Sequence, residues 1–178
     1  MSFALQAKAT APPPPPRLLE WYDGITFREE RFSWLRYEAG ELFEGHYREA
    51  SADLSVPLEV NWSLYEKLEQ SGLEVCVVAR KGATAVGYAV YFILPHLHYD
   101  QLVAESDVFY LDPAERRGWV GARLFHNAER LLRERGVDEM IGRTKLHVRP
   151  GRGRSDLGPL FRFMGYRAIE TVWKKRIS

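Results

Sequence analysis

Polar and apolar residues alternate along Glu105-Ser-Asp-Val-Phe-Tyr-Leu111, the period of a strand with two distinct faces. Strict alternation places Glu105, Asp107, Phe109 and Leu111 on one face and Val108 and Tyr110 on the other. Asp112-Pro113 ends the strand, because proline has no N–H to give a ladder. From Val120 the period becomes helical: Leu124, Phe125, Ala128, Leu131 and Leu132 form one stripe, and Gly136 closes it. Between strand and helix lies Arg116-Arg-Gly-Trp-Val-Gly121. A glycine-bearing loop at a helix N-terminus presents backbone N–H groups and the positive end of the helix dipole, a setting suited to a phosphate. Two adjacent arginines add charge.

The same patterns organise the rest of the chain. Residues 27–50 read as a helix with Trp34, Leu35, Leu42, Phe43 and His46 on one side and a break near Gly40 or Gly45. Asn61 caps a second helix over Trp62–Gln70, closed by Ser71-Gly72. Residues 73–80 and 83–94 are β-rich and joined by Lys81-Gly82, a hairpin signal. A strand over residues 138–148, a helix over 155–164 and a last strand over 166–176 complete the order. Leu18 to Tyr22 is apolar enough to pack on this domain or on a neighbour. The five prolines 12–16 favour an extended polyproline form, so residues 1–17 read as an arm preceding a single domain, 18–178.

Composition narrows the class. The chain has 178 residues, 46% hydrophobic and 28% charged, the make-up of a soluble globule. A net charge of +1 gives no global attraction to nucleic acid or membrane, so any basic function is local. The single cysteine, Cys76, sits in an apolar run and reads as a buried core thiol in a reducing compartment, the cytoplasm. No apolar stretch is long enough to span a membrane, and the N-terminus lacks the apolar segment of a secretory signal.

The strand, the R-x-x-G-x-G/A-like loop and the following helix resemble the cofactor motif of the GNAT N-acetyltransferases. The resemblance covers roughly residues 70–178. It is closest to GNAT-like proteins of tailed phages, through Pro95-His-Leu-His-Tyr99, Leu157-Gly-Pro-Leu160 and Met164-Gly-Tyr166. It implies an α/β fold: a mostly antiparallel sheet flanked by helices, with a splayed parallel pair that admits the acyl-pantetheine arm. It also implies acetyl-CoA as cofactor, held by Phe109, Leu111, Arg116, Arg117, Gly118, Trp119, Val120, Gly121 and Ala122. Trp119 stands where the family has a glycine, which an ordinary helical backbone permits.

Acetyl transfer to an amine requires a base for the ammonium and a proton for the departing thiolate. Glu105 matches the family's glutamate base. Asp107 is the alternative base or an anion that binds the amine, and an ion pair between Glu105 and an arginine is the competing structural role. The family's tyrosine acid falls on Phe161, which has no proton to give, leaving water, Tyr166, Tyr110 or His147. His96 and His98 lack a third ligand at recognisable spacing, so no metal is expected. Arg149-Pro-Gly-Arg-Gly-Arg154 is basic but lacks aromatic interleaving, so nucleic acid is not expected as a partner. The expected activity is acetylation of a primary amine on a small molecule or protein. A virion structural or adaptor protein, assembling through residues 1–17 with a partner or a second copy, is the alternative.

Overall fold

Asp23 and Gly24 both have positive φ, 49° and 78°, the backbone that a two-residue type I′ hairpin demands. They join β1 (Arg17–Tyr22) to β2 (Ile25–Glu29), with Tyr22 opposite Ile25. The molecule was analysed as a computed structural model, which describes residues 16–51, 53–145, 148, 149, 153, 154, 156–173, 175 and 177. Most of the proline arm and His147 lie outside the described residues. The chain forms two compact units, residues 1–143 and 144–178.

In the first unit β3 (Glu74–Lys81), β4 (Thr84–Pro95), β5 (Leu102–Leu111) and β6 (Glu139–Ile141) extend the hairpin into a six-stranded sheet, ordered β1-β2-β3-β4-β5-β6. Every pairing is antiparallel except β5 with β6, which is parallel and spans only residues 103–105 of β5. A mixed sheet with a short parallel pair, which the resemblance implies, is therefore present. Among the described residues of this unit, β5 continues past Glu105 with no strand on that side.

Three helices cover the sheet. α1 (Gly40–Ala50), α2 (Trp62–Gln70) and a 3₁₀ turn over Phe32–Tyr37 lie on one face, where Phe32, Leu35, Leu42 and Phe43 join Cys76, Val78, Tyr88, Val90 and Tyr110 in one core. α3 (Val120–Glu134) covers the other, with Phe125 stacked on Phe109 at 4.1 Å between ring centroids. With both faces covered, β3 is buried from Glu74 to Arg80, and its centre, Val75 to Ala79, is a continuous apolar run. Asn61 caps α2 as expected, accepting from the Leu64 amide at 3.2 Å.

The expected helix over residues 27–50 is not formed as one element. Phe27 lies fully buried in β2, a turn of 3₁₀ helix follows, and α-helix begins at Gly40. The Asp23-Gly24 hairpin signal takes the segment into the sheet, where Ile25 and Phe27 alternate inward. The strand expected over 138–148 shrinks to Glu139–Ile141 in the first unit.

In the second unit β7 (Val148–Arg149) pairs with β8 (Gly153–Arg154), followed by α4 (Gly158–Phe163). The Leu157 amide donates to Thr144 Oγ1 at 2.7 Å. No strand forms from Tyr166 to Trp173, and the Trp173 side chain is 90% exposed. A strand needs a ladder, and beyond the two-residue β7–β8 pair the described residues of this unit offer none.

Candidate functional site

The loop after β5 is shaped by its own backbone chemistry. Asp112 caps a single 3₁₀ turn, Pro113–Glu115, through its side chain and the Ala114 amide at 2.8 Å. Gly118 has φ +51°, and a Cβ there would stand 3.3 Å from the Tyr22 hydroxyl oxygen, so glycine is required. Gly121 has no such strain, and space opens above it; the nearest atom to a Cβ would be Leu111 Cδ2 at 4.0 Å. Trp119 occupies the N-cap position with φ −106°, which any residue adopts, and its side chain is half exposed. Among the described residues the amides of Gly118, Gly121 and Ala122 have no backbone acceptor. Val120, fully buried, pins the first turn of α3, while Phe109 and Leu111 form the floor beneath it.

These features fit a pyrophosphate: orphan amides, open space over Gly121 and nearby guanidinium groups. Arg117 lies 3.7 Å from Asp23 and 3.8 Å from Glu115. Arg116 is more tightly held, with Nε donating to the Leu111 carbonyl at 2.8 Å and its two terminal nitrogens donating to Glu49 at 2.9 and 2.6 Å.

The acceptor-side carboxylates are set by a β-bulge. Val90 faces Val108 and Tyr91 faces Ser106, so Asp107 is the extra residue in β5. The bulge reverses the alternation. Glu105 lies opposite Phe92 and shares the α1–α2 face with Val108 and Tyr110, whereas Phe109 and Leu111 lie on the α3 face. The single shared face expected for Glu105, Asp107, Phe109 and Leu111 is therefore corrected. Asp107 accepts the Tyr65 hydroxyl from α2, and Glu105 pairs with Arg143. Arg143 is further fixed by its amide, which donates to Ser106 Oγ at 3.0 Å. Burial and the Asp107 charge hold the Tyr65 phenol well above its ordinary range, so it remains a donor.

A second polar cluster was not singled out in the sequence. His46 Nδ1 lies 2.8 Å from the Tyr88 hydroxyl, and its ring stacks on Tyr110 at 5.0 Å. Gly45 permits this approach, because a Cβ there would fall 2.8 Å from the Tyr110 hydroxyl oxygen. Burial raises the phenols of Tyr88 and Tyr110. The signal lay in Gly45-His46 inside a helical stripe, but their partners are two strands distant in sequence. Phe161 packs on Tyr166 within the second unit at 5.0 Å. His96 Nδ1 accepts from the His98 amide at 3.1 Å, and no group of three His, Cys, Asp or Glu side chains among the described residues is arranged to hold a metal. No described helix is long and apolar enough to cross a membrane.

The profile of the Acetyltransferase (GNAT) family matches residues 37–152, most of the chain. No curated protein matches the sequence. Among solved structures, a ribosomal-protein-alanine N-acetyltransferase from Brucella melitensis biovar Abortus 2308 is 16% identical, with a TM-score of 0.65 over 87% of this chain and 100% of its own. Glucosamine-6-phosphate N-acetyltransferase from Arabidopsis thaliana is 12% identical, with a TM-score of 0.64 over 88% of this chain and 100% of its own. AAC(6')-Iy, solved with the bisubstrate analog CoA-S-monomethyl-acetylneamine, is 18% identical, with a TM-score of 0.62 over 88% and 99%. At these identities the likeness is one of fold, and the profile match carries the assignment: this chain belongs to the GNAT acetyltransferase family, enzymes that use acetyl-CoA to acetylate amines.

Proposed function

We propose that this protein transfers the acetyl group of acetyl-CoA to a primary amine, with Asp107 as the proton acceptor. The observation that carries the reading is the bulge, which turns Asp107 toward α2 at the strand leading into the phosphate-type loop. Bound acetyl-CoA supplies an activated acetyl thioester. Gly118, Gly121 and Ala122 would hold its pyrophosphate through their amides, with Trp119 and Val120 continuing the turn. Arg116 and Arg117 would supply the charge, and Phe109 and Leu111 the apolar floor.

On the acceptor side, an attacking amine must first lose a proton. Glu105 would surrender its ion pair with Arg143 on taking that proton. Asp107 accepts the Tyr65 hydroxyl, a neutral donor, and stands at the bulge where β5 turns toward α2. Asp107 therefore takes the proton, and Glu105 with Arg143 orients the ammonium. Phe161 supplies no proton, so reprotonation of the departing sulfur is left to solvent. The virion reading rests on the proline arm, and nothing among the described residues favours it.

The test is a steady-state assay of CoA release across a panel of primary amines, including aminoglycosides, amino sugars and peptides with a free N-terminus. Asp107→Asn should lower kcat by about 10²-fold or more, while Glu105→Gln should cost less than about tenfold. The opposite ranking would make Glu105 the base, and inertness toward every amine despite acetyl-CoA binding would remove the catalytic reading.

A further inference from the structure

A cleft of about 340 Å³ lies at the end of α2, the start of β3 and the end of α3. Its volume falls within the roughly 300–1,000 Å³ of small-molecule sites. Glu74 lines it, only 6% exposed, and Glu74 Oε2 is buried without a hydrogen-bond partner among the described residues. Buried carboxyl oxygens are ordinarily satisfied, so this one calls for a donor from outside the described residues.

The surrounding charges define what could complete it. Glu69, also lining the cleft, accepts only neutral donors, the Ser33 amide and hydroxyl, each at 2.7 Å. From β5, Asp107 adds a second negative field on Glu74, and Tyr65 from α2 and Cys76 from β3 stand nearby as neutral groups. Three arginines line the cleft, but Arg17 pairs with Glu134, Arg31 lies against Trp34, and the Arg135 guanidinium donates to the Glu74 carbonyl at 2.6 Å and to Glu29 instead of the Glu74 carboxyl. The Phe32 amide completes the groups that face it. Trp34 adds an aromatic wall to the cleft, with Arg31 against its ring at 5.6 Å. The inner end is thus acidic and under-donated.

We propose that this cleft is a binding site for a small organic cation, an ammonium or guanidinium, which pairs with Glu74 and Glu69 and lies along Trp34. The site is separate from the acetyl-transfer residues and does not rest on the proposed reaction. Binding exchanges one cation for one proton: burial, reinforced by Glu69, pushes the Glu74 carboxyl up to about 8, so at neutral pH it holds a proton that an arriving cation displaces to solvent.

The experiment titrates the full-length protein with N-ethylguanidinium, following the Trp34 indole N–H by NMR and proton release by calorimetry in two buffers of different ionisation enthalpy. Saturable binding should tighten about 25-fold between pH 6.5 and 8.5, the change in ionised fraction for a group titrating near 8. It should release close to one proton at pH 7. The neutral isostere N-ethylurea should not bind, and Glu74→Gln should abolish binding while its acetyl-CoA affinity stays that of the parent. Absence of saturable binding, binding without proton release, equal binding of the urea, or unchanged binding by Glu74→Gln would each overturn the proposal. The proton count is taken on the parent protein, so the outcome stands even if the variant does not fold.

Discussion

Arg116 bonds both carboxylate oxygens of Glu49, at 2.9 and 2.6 Å, and so ties the loop after β5 to α1. Its ring-side face lies over Tyr110 at 5.4 Å. An arginine held this way is already oriented, but its terminal nitrogens are occupied. On the proposed reading, a cofactor phosphate would compete with Glu49 for them.

Glu49→Gln should therefore tighten acetyl-CoA binding, by up to about fivefold, the factor equivalent to 1 kcal/mol for a partly exposed pair. Arg116→Ala should weaken it. Calorimetric titration of both variants checks the sign, and weaker binding by Glu49→Gln would show that the pair positions the arginine for the phosphate instead of competing with it.

Gly121→Asp should abolish acetyl-CoA binding without unfolding the domain. The space above Gly121 admits the side chain, with the nearest atom to its Cβ at 4.0 Å, but the carboxylate would stand among the phosphate-facing amides. Calorimetry paired with a thermal melt separates the two effects. Parent-like affinity in a folded variant would relocate the pyrophosphate.

Tyr65→Phe removes the hydroxyl that Asp107 accepts. Losing a donor to the charged form raises a carboxyl pKa, so the acidic limb of the kcat profile should move to higher pH while KM for acetyl-CoA is unchanged. An unmoved limb would remove Tyr65 as a positioning residue for the base.

Glu74 has its pKa raised in the folded state to about 8, so between the unfolded carboxyl range and that value the native state binds the extra proton. Stability attributable to this group is complete below the unfolded pKa and is lost as pH rises toward 8, with a limiting slope of about 1.4 kcal/mol per unit. Glu74→Gln should flatten the decline in Tm between pH 5 and 8. If both proteins melt in parallel across that range, the carboxyl is not protonated in the fold.

Gly45→Ala gains helix propensity of about 1 kcal/mol but drives a methyl to within 2.8 Å of the Tyr110 hydroxyl oxygen. Overpacking of about 1–3 kcal/mol should win, and Tyr110→Phe should recover part of it in a double-mutant cycle measured by urea denaturation. Additive effects would show that α1 shifts to relieve the contact.

The central elements were legible because their signals are local. The Lys81-Gly82 hairpin, the Asn61 cap and the stripe from Leu124 to Leu132 each depend on residues a few positions apart, and each appears in the structure. The break between the end of β5 and the start of α3 was legible for the same reason. The bulge was not: alternation reads through Asp107 without interruption, and only the pairing with β4 reveals the extra residue. Residues 27–39 were misread as helix because Phe27, Trp34 and Leu35 suit a helical period, while the decisive turn lies just upstream at Asp23-Gly24. The Arg116–Glu49 and Tyr65–Asp107 pairs join residues 67 and 42 positions apart, beyond any sequence window.

The bulge also divides β5 into two independently tunable halves. Past Asp107, residues 108–111 keep a fixed phase relative to the loop that follows; before it, residues 102–106 run in the opposite phase. On the proposed reading, side chains in the leading half could be exchanged to suit a different amine without rotating those that would support the nucleotide end. Deleting Asp107 would close the bulge and leave Ser106 opposite Tyr91 and Glu105 opposite Phe92, whereas drawing Asp107 into the ladder without a deletion would turn Glu105 from the α1–α2 side to the α3 side, so the slip itself sets which face that carboxylate takes.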